Sequence, residues 1–335
     1  MTISPRHFAF ARFVDSHTHM PFVAVIYDGR AVPVTVCLED LPATVMQVSE
    51  LFENWDDSLD RIEAWLDAHA DHIEKFGQIE TDLNAVSPVS PTQIFQAAAN
   101  YRKHVIDLMV ASPRPEHVGR PESELRAFAT ELMDKRAASG KPTVFQGLPS
   151  SITGPFDDVV IPHITEQCDW ELELAAVMLR PTRFVSPSEA LSSVAGYTIV
   201  NDISMRDWLY PTGDSSRGAD WLACKGAPTF LPVGPYLVPA RYVKDPNNLH
   251  IELKLNGDIM QSESTHDMIF DVASLIAHTS TFALMLPGDL LLTGSPSGNG
   301  VHHGRFLTEG DVLEGSIEGL GTQINHLVNE PVARP

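Results

Sequence analysis

The sequence is poor in cysteine, and its few cysteines follow no pairing pattern. The 335 residues include Cys37, Cys168 and Cys224, and no CxxC motif is present. An odd and scattered set of this kind argues against a disulfide framework and is typical of a reducing compartment. We therefore expect a cytoplasmic protein.

Long apolar segments are also missing. No stretch approaches the ~18 consecutive apolar residues that a membrane helix needs, and residues 282–292 are interrupted by Pro287, Gly288 and Asp289. The N-terminus lacks a basic segment followed by an apolar one, so we expect no signal peptide. No membrane association is expected.

Basic residues are scarce relative to acidic ones. Lys and Arg number 23 against 44 Asp and Glu, which gives a formal net charge of −21. This balance argues against nucleic acid and anionic membrane surfaces as partners. The apolar fraction of 43% and the charged fraction of 20% are ordinary for a globular protein. The acidic excess is either a solvated surface or, in part, a set of carboxylates that converge on a cation.

The N-terminal part of the chain combines strand and helix patterns. Residues 6–36 predict strands with a hairpin at Asp28-Gly29, and residues 43–76 show the apolar spacing of helices. Ser-Pro pairs within residues 84–91 predict a linker, because residues before proline avoid the helical region.

The rest of the chain has a different pattern, mostly strand and turn from residue 142 onward. We therefore expect an α+β fold with two domains. A small α+β N-terminal cap domain would span residues 1–90, and a β-rich catalytic domain would span residues 91–330.

One candidate metal site is a His-x-His motif near the N-terminus. His17 and His19 could hold one ion from one strand face, as in metal-dependent amidohydrolases on a (β/α)8 barrel. Such a barrel needs regular strand–helix alternation, which the later sequence lacks. Two polar histidines in a turn before Pro21 is the favoured interpretation, and a zinc amidohydrolase is a distant alternative.

A second candidate site consists of carboxylates. Glu171 and Glu173 stand at i and i+2 of a predicted strand, so both side chains leave the same face. One interpretation is the solvent face of a half-buried strand. The apolar run 175–178 favours a buried strand instead, and buried carboxylates need a compensating cation.

A third carboxylate follows the next apolar strand. Asp202 ends the run Ile199-Val200-Asn201-Asp202, where it could complete an oxygen site with the two glutamates. Three carboxylates without a neighbouring Cys or His select a hard ion, Mg²⁺ first, with Mn²⁺ or Ca²⁺ as alternatives. The adjacent Arg206 and Asp207 are expected to form a structural ion pair.

Seven short motifs occur in order between Pro88 and Val328. They are Asn100-Tyr101-Arg102-x-His104, Ser150-Ser151-Ile152-Thr153-Gly154-Pro155, Asp169-Trp170-Glu171-Leu172-Glu173-Leu174, Asn201-Asp202-Ile203-Ser204-Met205-Arg206-Asp207, Lys225 leading into Phe230-Leu231-Pro232-Val233-Gly234-Pro235, Thr293-Gly294-Ser295-Pro296-Ser297-Gly298, and Gly310-Asp311. In this order they resemble the fumarylacetoacetate hydrolase family. The residues before Pro88 lie outside the resemblance.

The resemblance implies a β-rich mixed-sheet catalytic domain of the family's type, a β-sandwich roll, and a homodimer. It implies a small-molecule oxo-acid substrate and the breakdown of aromatic or sugar-acid compounds. The residue roles that it implies are Glu171, Glu173 and Asp202 as metal ligands, His104 with Asp107 as the pair that deprotonates a water, Lys225 as the group that supports developing negative charge, and Tyr101, Arg102, Arg206 and Ser295 as substrate contacts.

The implied reaction is hydrolysis of a C–C bond in a 2,4-dioxo acid (an acylpyruvate) or related β-dicarbonyl through a metal-bound enolate. Alternatives are decarboxylation, hydration or tautomerisation at the same site, and a non-catalytic binding protein. Asp107 departs from the family's usual glutamate. Leu209 and Gly147 replace a frequent glutamine and lysine, which predicts a less hydrophilic substrate than fumarylacetoacetate or a non-hydrolytic variant.

Overall fold

The computed structural model describes residues 7–111, 117–210 and 218–331. Its strands are short and numerous. They are β1 (Ala9–Val14), β2 (Pro21–Tyr27), β3 (Arg30–Pro33), β4 (Gln78–Ile79), β5 (Asn84–Val86), β6 (Ile94–Ala98), β7 (Thr143–Gly147), β8 (Ile152–Thr153), β9 (Val159–Ile161), β10 (Cys168–Asp169), β11 (Leu172–Met178), β12 (Val194–Asn201), β13 (Ser204–Met205), β14 (Leu231–Pro232), β15 (Val238–Pro239), β16 (His250–Leu255), β17 (Asp258–Ser264), β18 (Leu290–Leu292), β19 (Val312–Ile317) and β20 (Gly321–Asn329).

Helices connect these strands. The α-helices are α1 (Val34–Cys37), α2 (Trp55–His69), α3 (Arg102–Ala111), α4 (Glu122–Ser139), α5 (Pro187–Ala190), α6 (Arg206–Leu209), α7 (Trp221–Lys225), α8 (Val272–Phe282) and α9 (Gly300–His303). Segments of 3₁₀ helix occur at Val48–Asn54, Ala70–Lys75, Glu80–Asp82, Pro149–Ser151, Leu191–Ser193, Ala240–Tyr242 and Thr265–Asp267. Among the described residues, no helix has the length and apolar character that a membrane crossing requires.

The central sheet brings the ends of several strands together on one side. Its strand order is β15-β12-β11-β18-β6-β7, and every residue of β11 and β12 is buried. Strand β18 runs parallel to β6, while β11 runs antiparallel to both β18 and β12. The start of β11 and the ends of β12, β18 and β6 therefore meet at the same edge, which we call the site edge.

A second sheet has the order β17-β16-β19-β20-β9, and it packs against the central sheet. The two sheets approach closely where Gly315 of β19 faces Leu172 of β11. A Cβ added to Gly315 would come within 2.5 Å of the Leu172 side chain. Apolar side chains of both sheets form one core cluster. The predicted α+β class with mixed sheets is confirmed.

The N-terminal sheet, of order β4-β3-β2-β1-β5, joins the same core. Phe10 of β1 exchanges two backbone hydrogen bonds with Leu237, at 2.9 and 2.8 Å. The indole N–H of Trp55 in α2 donates to the Ala195 carbonyl of β12 at 3.2 Å. Because side chains from both parts share one apolar cluster, the domain boundary at residue 90 remains a prediction.

The linker predicted for residues 84–91 is wrong in its first half. The hairpin at Asp28-Gly29 is present, between β2 and β3. Asn84–Val86, however, forms β5 and pairs antiparallel with β1. Ala85 is buried there, so the burial of one side chain and a set of strand hydrogen bonds outweigh the proline-rich pattern that follows.

Replacing Phe10 by alanine should destabilise the whole chain, not its N-terminal part alone. Phe10 is fully buried, and its ring centroid lies 5.3 Å from that of Trp55. Truncation of a core Phe costs about 3–5 kcal/mol of unfolding free energy. We expect one urea transition, shifted to lower urea, by tryptophan fluorescence and far-UV circular dichroism. Met20→Ala in the exposed turn after β1 is the control; a separate early transition in Phe10→Ala would contradict a shared core.

Candidate metal centre and active site

Three buried carboxylates meet at the site edge. Glu171 directly precedes β11, Glu173 is the second residue of β11, and Asp202 directly follows β12. The register pairs Glu173 with Val200, and the Asp202 amide donates to the Glu171 carbonyl at 2.9 Å. One oxygen from each carboxylate lies within 4.8 Å of the other two, and the residues are only 8%, 3% and 2% exposed. The structure therefore brings the three predicted metal ligands together.

Lys225 supplies a positive charge to this cluster. Its Nζ donates to Glu171 Oε2 at 2.5 Å, to Asp202 Oδ2, and to the Ser204 hydroxyl at 2.8 Å. Lys225 is the last residue of α7, whose first turn is capped by Asp220 through the Ala223 amide at 3.0 Å. Burial opposes its charge, but Asp202 and Glu171 keep the pKa of Lys225 above its ordinary value.

Arg206 supplies the second positive charge. Its Nη2 donates to Glu171 Oε1 at 2.7 Å, and its Nε donates to Asp169 Oδ2 at 2.8 Å. The predicted pair of Arg206 with Asp207 is wrong. Asp207 instead accepts hydrogen bonds from the Thr165 hydroxyl and the Glu166 amide, because consecutive helical residues point in different directions.

The charge balance of the cluster leaves a place for a divalent cation. Glu171, Glu173, Asp202 and Asp169 face two cationic side chains, so the fully ionised cluster retains two negative charges. Burial, followed by the charges of Asp202 and Glu171, raises the pKa of Glu173. Within the described parts of the chain, Asp202 Oδ1 is buried without a hydrogen-bond partner. An all-oxygen donor set with an unsatisfied oxygen fits a hard divalent ion.

The pKa values of the other two carboxylates of the predicted triad are shifted in opposite directions. Burial raises the pKa of Asp202, and the nearby Lys225 only partly offsets that effect. For Glu171, burial is outweighed by Arg206 and Lys225, which hold its pKa well below the usual range. Glu171 is therefore the carboxylate of the triad that both cations contact and hold in its ionised form.

A glycine amide binds the remaining carboxylate. The Gly294 amide donates to Glu173 Oε2 at 2.7 Å. Gly294 has a φ of 92°, and an added Cβ would lie 3.0 Å from the Asn100 Cβ. Only glycine suits this combination of positive φ and close approach, so the turn after β18 is shaped to present its amide to Glu173.

Helix α3 places His104 near the cluster. The helix follows Asn100, whose side-chain amide fixes the chain at this point. Its Nδ2 donates to the Phe270 and Thr293 carbonyls, and its Oδ1 accepts from the Phe270 amide. The Lys103 amide donates to Asp267 Oδ2 at 2.8 Å. His104 is buried, and this burial lowers its pKa to about 3. Its imidazole is therefore uncharged at neutral pH.

Asp107 lies one turn further along α3 but binds other residues. Arg126 of α4 donates to Asp107 Oδ1 at 2.9 Å, and the Ser297 hydroxyl donates to Oδ2 at 2.9 Å. Burial would raise the pKa of Asp107, yet these two hydrogen bonds hold it below its usual value. Both oxygens are thus engaged, and no hydrogen bond joins Asp107 to His104 among the described residues.

The predicted substrate contacts are placed differently from one another. Tyr101 is fully buried, and burial followed by the charge of Glu173 raises its pKa. The Ser295 hydroxyl is buried and accepts from Gln261 Nε2 at 2.9 Å. Arg102 forms an ion pair with Asp134 of α4, so its side chain joins two helices.

Three polar residues support the site but were not singled out as site residues from the sequence. Asp169 is fully buried and binds Arg206 together with the Trp170 and Gly300 amides. Asn201 Oδ1 accepts from the Glu171 amide at 3.0 Å. Gln261 accepts from the Leu172 amide at 3.2 Å. Asp169 and Asn201 lie inside quoted motifs, whereas the sequence around Gln261 gives no signal.

The zinc amidohydrolase alternative is wrong. His17 and His19 lie in an exposed turn that Asp15 holds through the His17 and Thr18 amides. The sheets are not a (β/α)8 barrel. In residues 7–111, 117–210 and 218–331, the group of metal-ligating side chains close enough to share an ion is the acidic triad.

Known proteins are similar to this chain. The model of the family "Fumarylacetoacetate (FAA) hydrolase C-terminal" matches residues 93–328. Human oxaloacetate tautomerase FAHD2B, mitochondrial, is 42% identical over 190 residues, which cover 56% of this chain and 59% of that protein. The 2,4-didehydro-3-deoxy-L-rhamnonate hydrolase of Sphingomonas sp. (strain SKA58) is 38% identical over 261 residues, 75% of this chain and 89% of that one.

The fold has solved counterparts as well. The fumarylacetoacetate hydrolase of Exiguobacterium antarcticum superimposes with a TM-score of 0.69 at 26% identity, covering 96% of this chain and 100% of that one. The family match spans most of the chain and includes every residue of the acidic cluster. The chain belongs to the fumarylacetoacetate hydrolase family.

Proposed function

We propose that this protein is a divalent-metal-dependent enzyme that interconverts the keto and enol forms of a 2-oxo acid. The observation that carries the proposal is a buried acidic triad beside Lys225, next to a histidine that forms no hydrogen bond with a carboxylate of the described residues. A triad of this kind serves any reaction that passes through an enolate. A histidine without a carboxylate to orient a water favours proton transfer over hydrolysis.

Glu171, Glu173 and Asp202 would hold the ion, with Mg²⁺ as the expected metal and Mn²⁺ as the alternative. When bound, the ion supplies Lewis-acid polarisation of the 2-oxo and carboxylate oxygens. The all-oxygen donor set and the unpartnered Asp202 Oδ1 support this assignment.

Lys225 and Arg206 give the site a fixed positive potential. The Lys225 ammonium, already directed into the cluster, would stabilise negative charge that develops on the substrate oxygen. Arg206 holds Glu171 and Asp169 in place and would extend that potential to a substrate carboxylate. The hydroxyls of Tyr101 and Ser295 are the proposed hydrogen-bond donors to substrate oxygens.

His104 is the proposed base. It would accept a proton from the carbon next to the oxo group, while the electron pair of that C–H bond moves into the developing C=C bond. A proton then returns to the substrate oxygen, so no water is consumed and the mass is unchanged. Because His104 is uncharged at neutral pH, one of its ring nitrogens is free to accept a proton.

The relatives support the reaction class without choosing a substrate. The human relative is named for tautomerisation of oxaloacetate.

An aromatic pair lies near Lys225 in this chain. Phe145 and Trp221 stack with ring centroids 4.1 Å apart, and Lys225 Nζ lies 5.9 Å from the Phe145 centroid. This aromatic pair supports the sequence-based prediction of a less hydrophilic substrate. We therefore propose a 2-oxo acid that carries an apolar or aromatic substituent.

Hydrolysis of a C–C bond in an acylpyruvate is the second candidate. The Sphingomonas relative is named as a hydrolase, and His104 is retained. In that reaction Asp107 would have to release Arg126 or Ser297 and orient a water against His104.

The cytoplasmic location and the homodimer also remain proposals. The three cysteines are all buried and free, which agrees with a reducing compartment.

A substrate panel separates the two candidates. Oxaloacetate, a 3-aryl 2-oxo acid and an acylpyruvate would be incubated with Mg²⁺ or Mn²⁺ while enol absorbance and product masses are followed. We expect faster keto–enol equilibration of the aryl substrate, with no new mass. Two fragments from the acylpyruvate at a comparable rate would establish hydrolysis instead, and release of CO₂ would indicate decarboxylation.

Glu173→Gln should weaken metal binding while keeping the fold. The amide retains the size of the side chain but removes one of three anionic ligands, so we expect Mn²⁺ affinity to fall by at least ~100-fold. Electron paramagnetic resonance titration of free Mn²⁺ measures this loss. Glu131→Gln on the exposed face of α4 is the matched control, and equal Mn²⁺ affinity in the two variants would overturn the site assignment.

Lys225→Met should separate catalysis from metal binding. Removing a preorganised charge from an enolate site costs roughly 10²–10³ in kcat. Mn²⁺ affinity should not decrease, because the ammonium competes for Glu171 and Asp202. Lys141→Met at an exposed position serves as control. Unchanged kcat in Lys225→Met would remove the lysine from the mechanism.

A further inference from the structure

Two histidine rings face each other beside the metal cluster. The ring centroids of His104 and His302 are 5.3 Å apart and inclined by 51°. Within the described residues, Nδ1 of His104 and both ring nitrogens of His302 are buried and lack hydrogen-bond partners. A neutral imidazole has one donor and one acceptor nitrogen, and buried polar atoms are rarely left unpaired. The unpaired nitrogens therefore indicate that the two rings share one hydrogen-bonding partner, either a polar atom or a water.

The position of His302 is fixed by the same residues that build the cluster. The Gly300 amide at the start of α9 donates to Asp169 Oδ1 at 2.6 Å. The Asn299 side chain donates to the Trp170 carbonyl at 2.8 Å, and the Trp170 indole donates to the Gly298 carbonyl at 3.0 Å. His302 is thus held at a set distance from the strand that begins beside Glu171.

Asp107, the residue expected to assist His104, is committed elsewhere. Arg126 and Ser297 each hold one of its oxygens. Breaking either contact would leave a partly buried carboxylate or hydroxyl without its partner. The titratable and charged groups whose charges act on the His302 ring are Asp107, Asp169, Arg206 and His303.

We infer that His302, and not Asp107, is the partner of His104: a positioning residue that exchanges a proton with His104 directly or through one water. The inference deepens the proposed function and rests on it. When His104 takes the proton from the substrate carbon, the proton on its other nitrogen passes to His302. The reverse transfer lets a proton return to the substrate oxygen, so both rings end neutral and no proton is gained or lost.

The test compares three variants on the oxo acid that the wild type turns over fastest. His302→Ala should lower kcat by about 30-fold or more, since general acid–base assistance contributes ~10²–10⁴, with KM changed less than about 3-fold. Imidazole added to the solution should restore part of the lost rate. His303→Ala, a change at its neighbour on α9, should stay within about 3-fold of wild type, as expected for a residue outside the proton path. Asp107→Asn should lower kcat much less than His302→Ala does.

Several outcomes would overturn the inference. They are near-normal kcat in His302→Ala, a loss that imidazole does not restore, and a loss in Asp107→Asn as large as that in His302→Ala. His302→Phe, which keeps the ring volume, replaces the alanine variant if thermal melting shows that the latter is unfolded. Mn²⁺ affinity should be equal in all variants.

A measurement without turnover separates this inference from the proposed function. In Mg²⁺-loaded protein labelled with ¹⁵N-histidine, the ring nitrogen signals of His104 should move more in His302→Phe than in Asp107→Asn. The opposite order would restore Asp107 as the partner. If the wild type enolises no oxo acid, the proposed function fails, and the nitrogen shifts still decide which residue contacts His104.

Discussion

The structure depends on burying four carboxylates at one edge of a sheet. Each ion taken out of water loses several kcal/mol of hydration, on the order of the effective penalty measured in proteins, so the cluster requires cations placed with good geometry. Lys225 and Arg206 provide two, and both reach Glu171. The turn at Gly294, the helix that ends at Lys225 and the fully buried Asp169 all serve the same need. The site is a consequence of how the protein balances this charge.

The acidic triad could be predicted because its signal is local. The i and i+2 spacing of two glutamates before an apolar run predicts that both side chains lie on the same face of a strand. The aspartate at the end of the next apolar strand predicts the side of the sheet on which the three carboxylates meet. An antiparallel pairing of those two strands then suffices to bring the carboxylates together. The α+β class followed in the same way from periodicities that each segment carries within itself.

Partner choice could not be predicted, because it is decided by distant segments. Arg206 adjoins Asp207 in sequence but bonds to Asp169 of β10 and to Glu171, which directly precedes β11. Asp107 is bound by Arg126 from another helix, and nothing in the spacing of His104 and Asp107 announces that competitor. The strand at Asn84–Val86 was hidden for the same reason, since its hydrogen bonds come from β1.

The contact of the Lys225 ammonium with Glu171 and Asp202 has a consequence for how the proposed metal ion would be acquired. A built-in counterion means that the chain balances much of its own buried charge before any metal arrives. Folding and the proposed metal loading would therefore be separable events, in contrast to zinc-dependent small domains, where ion binding supplies the folding free energy. In the proposed enzyme the ion would be an exchangeable reagent of the folded protein, so the supply of divalent metal would set how much of the enzyme is active and not how much of it is folded.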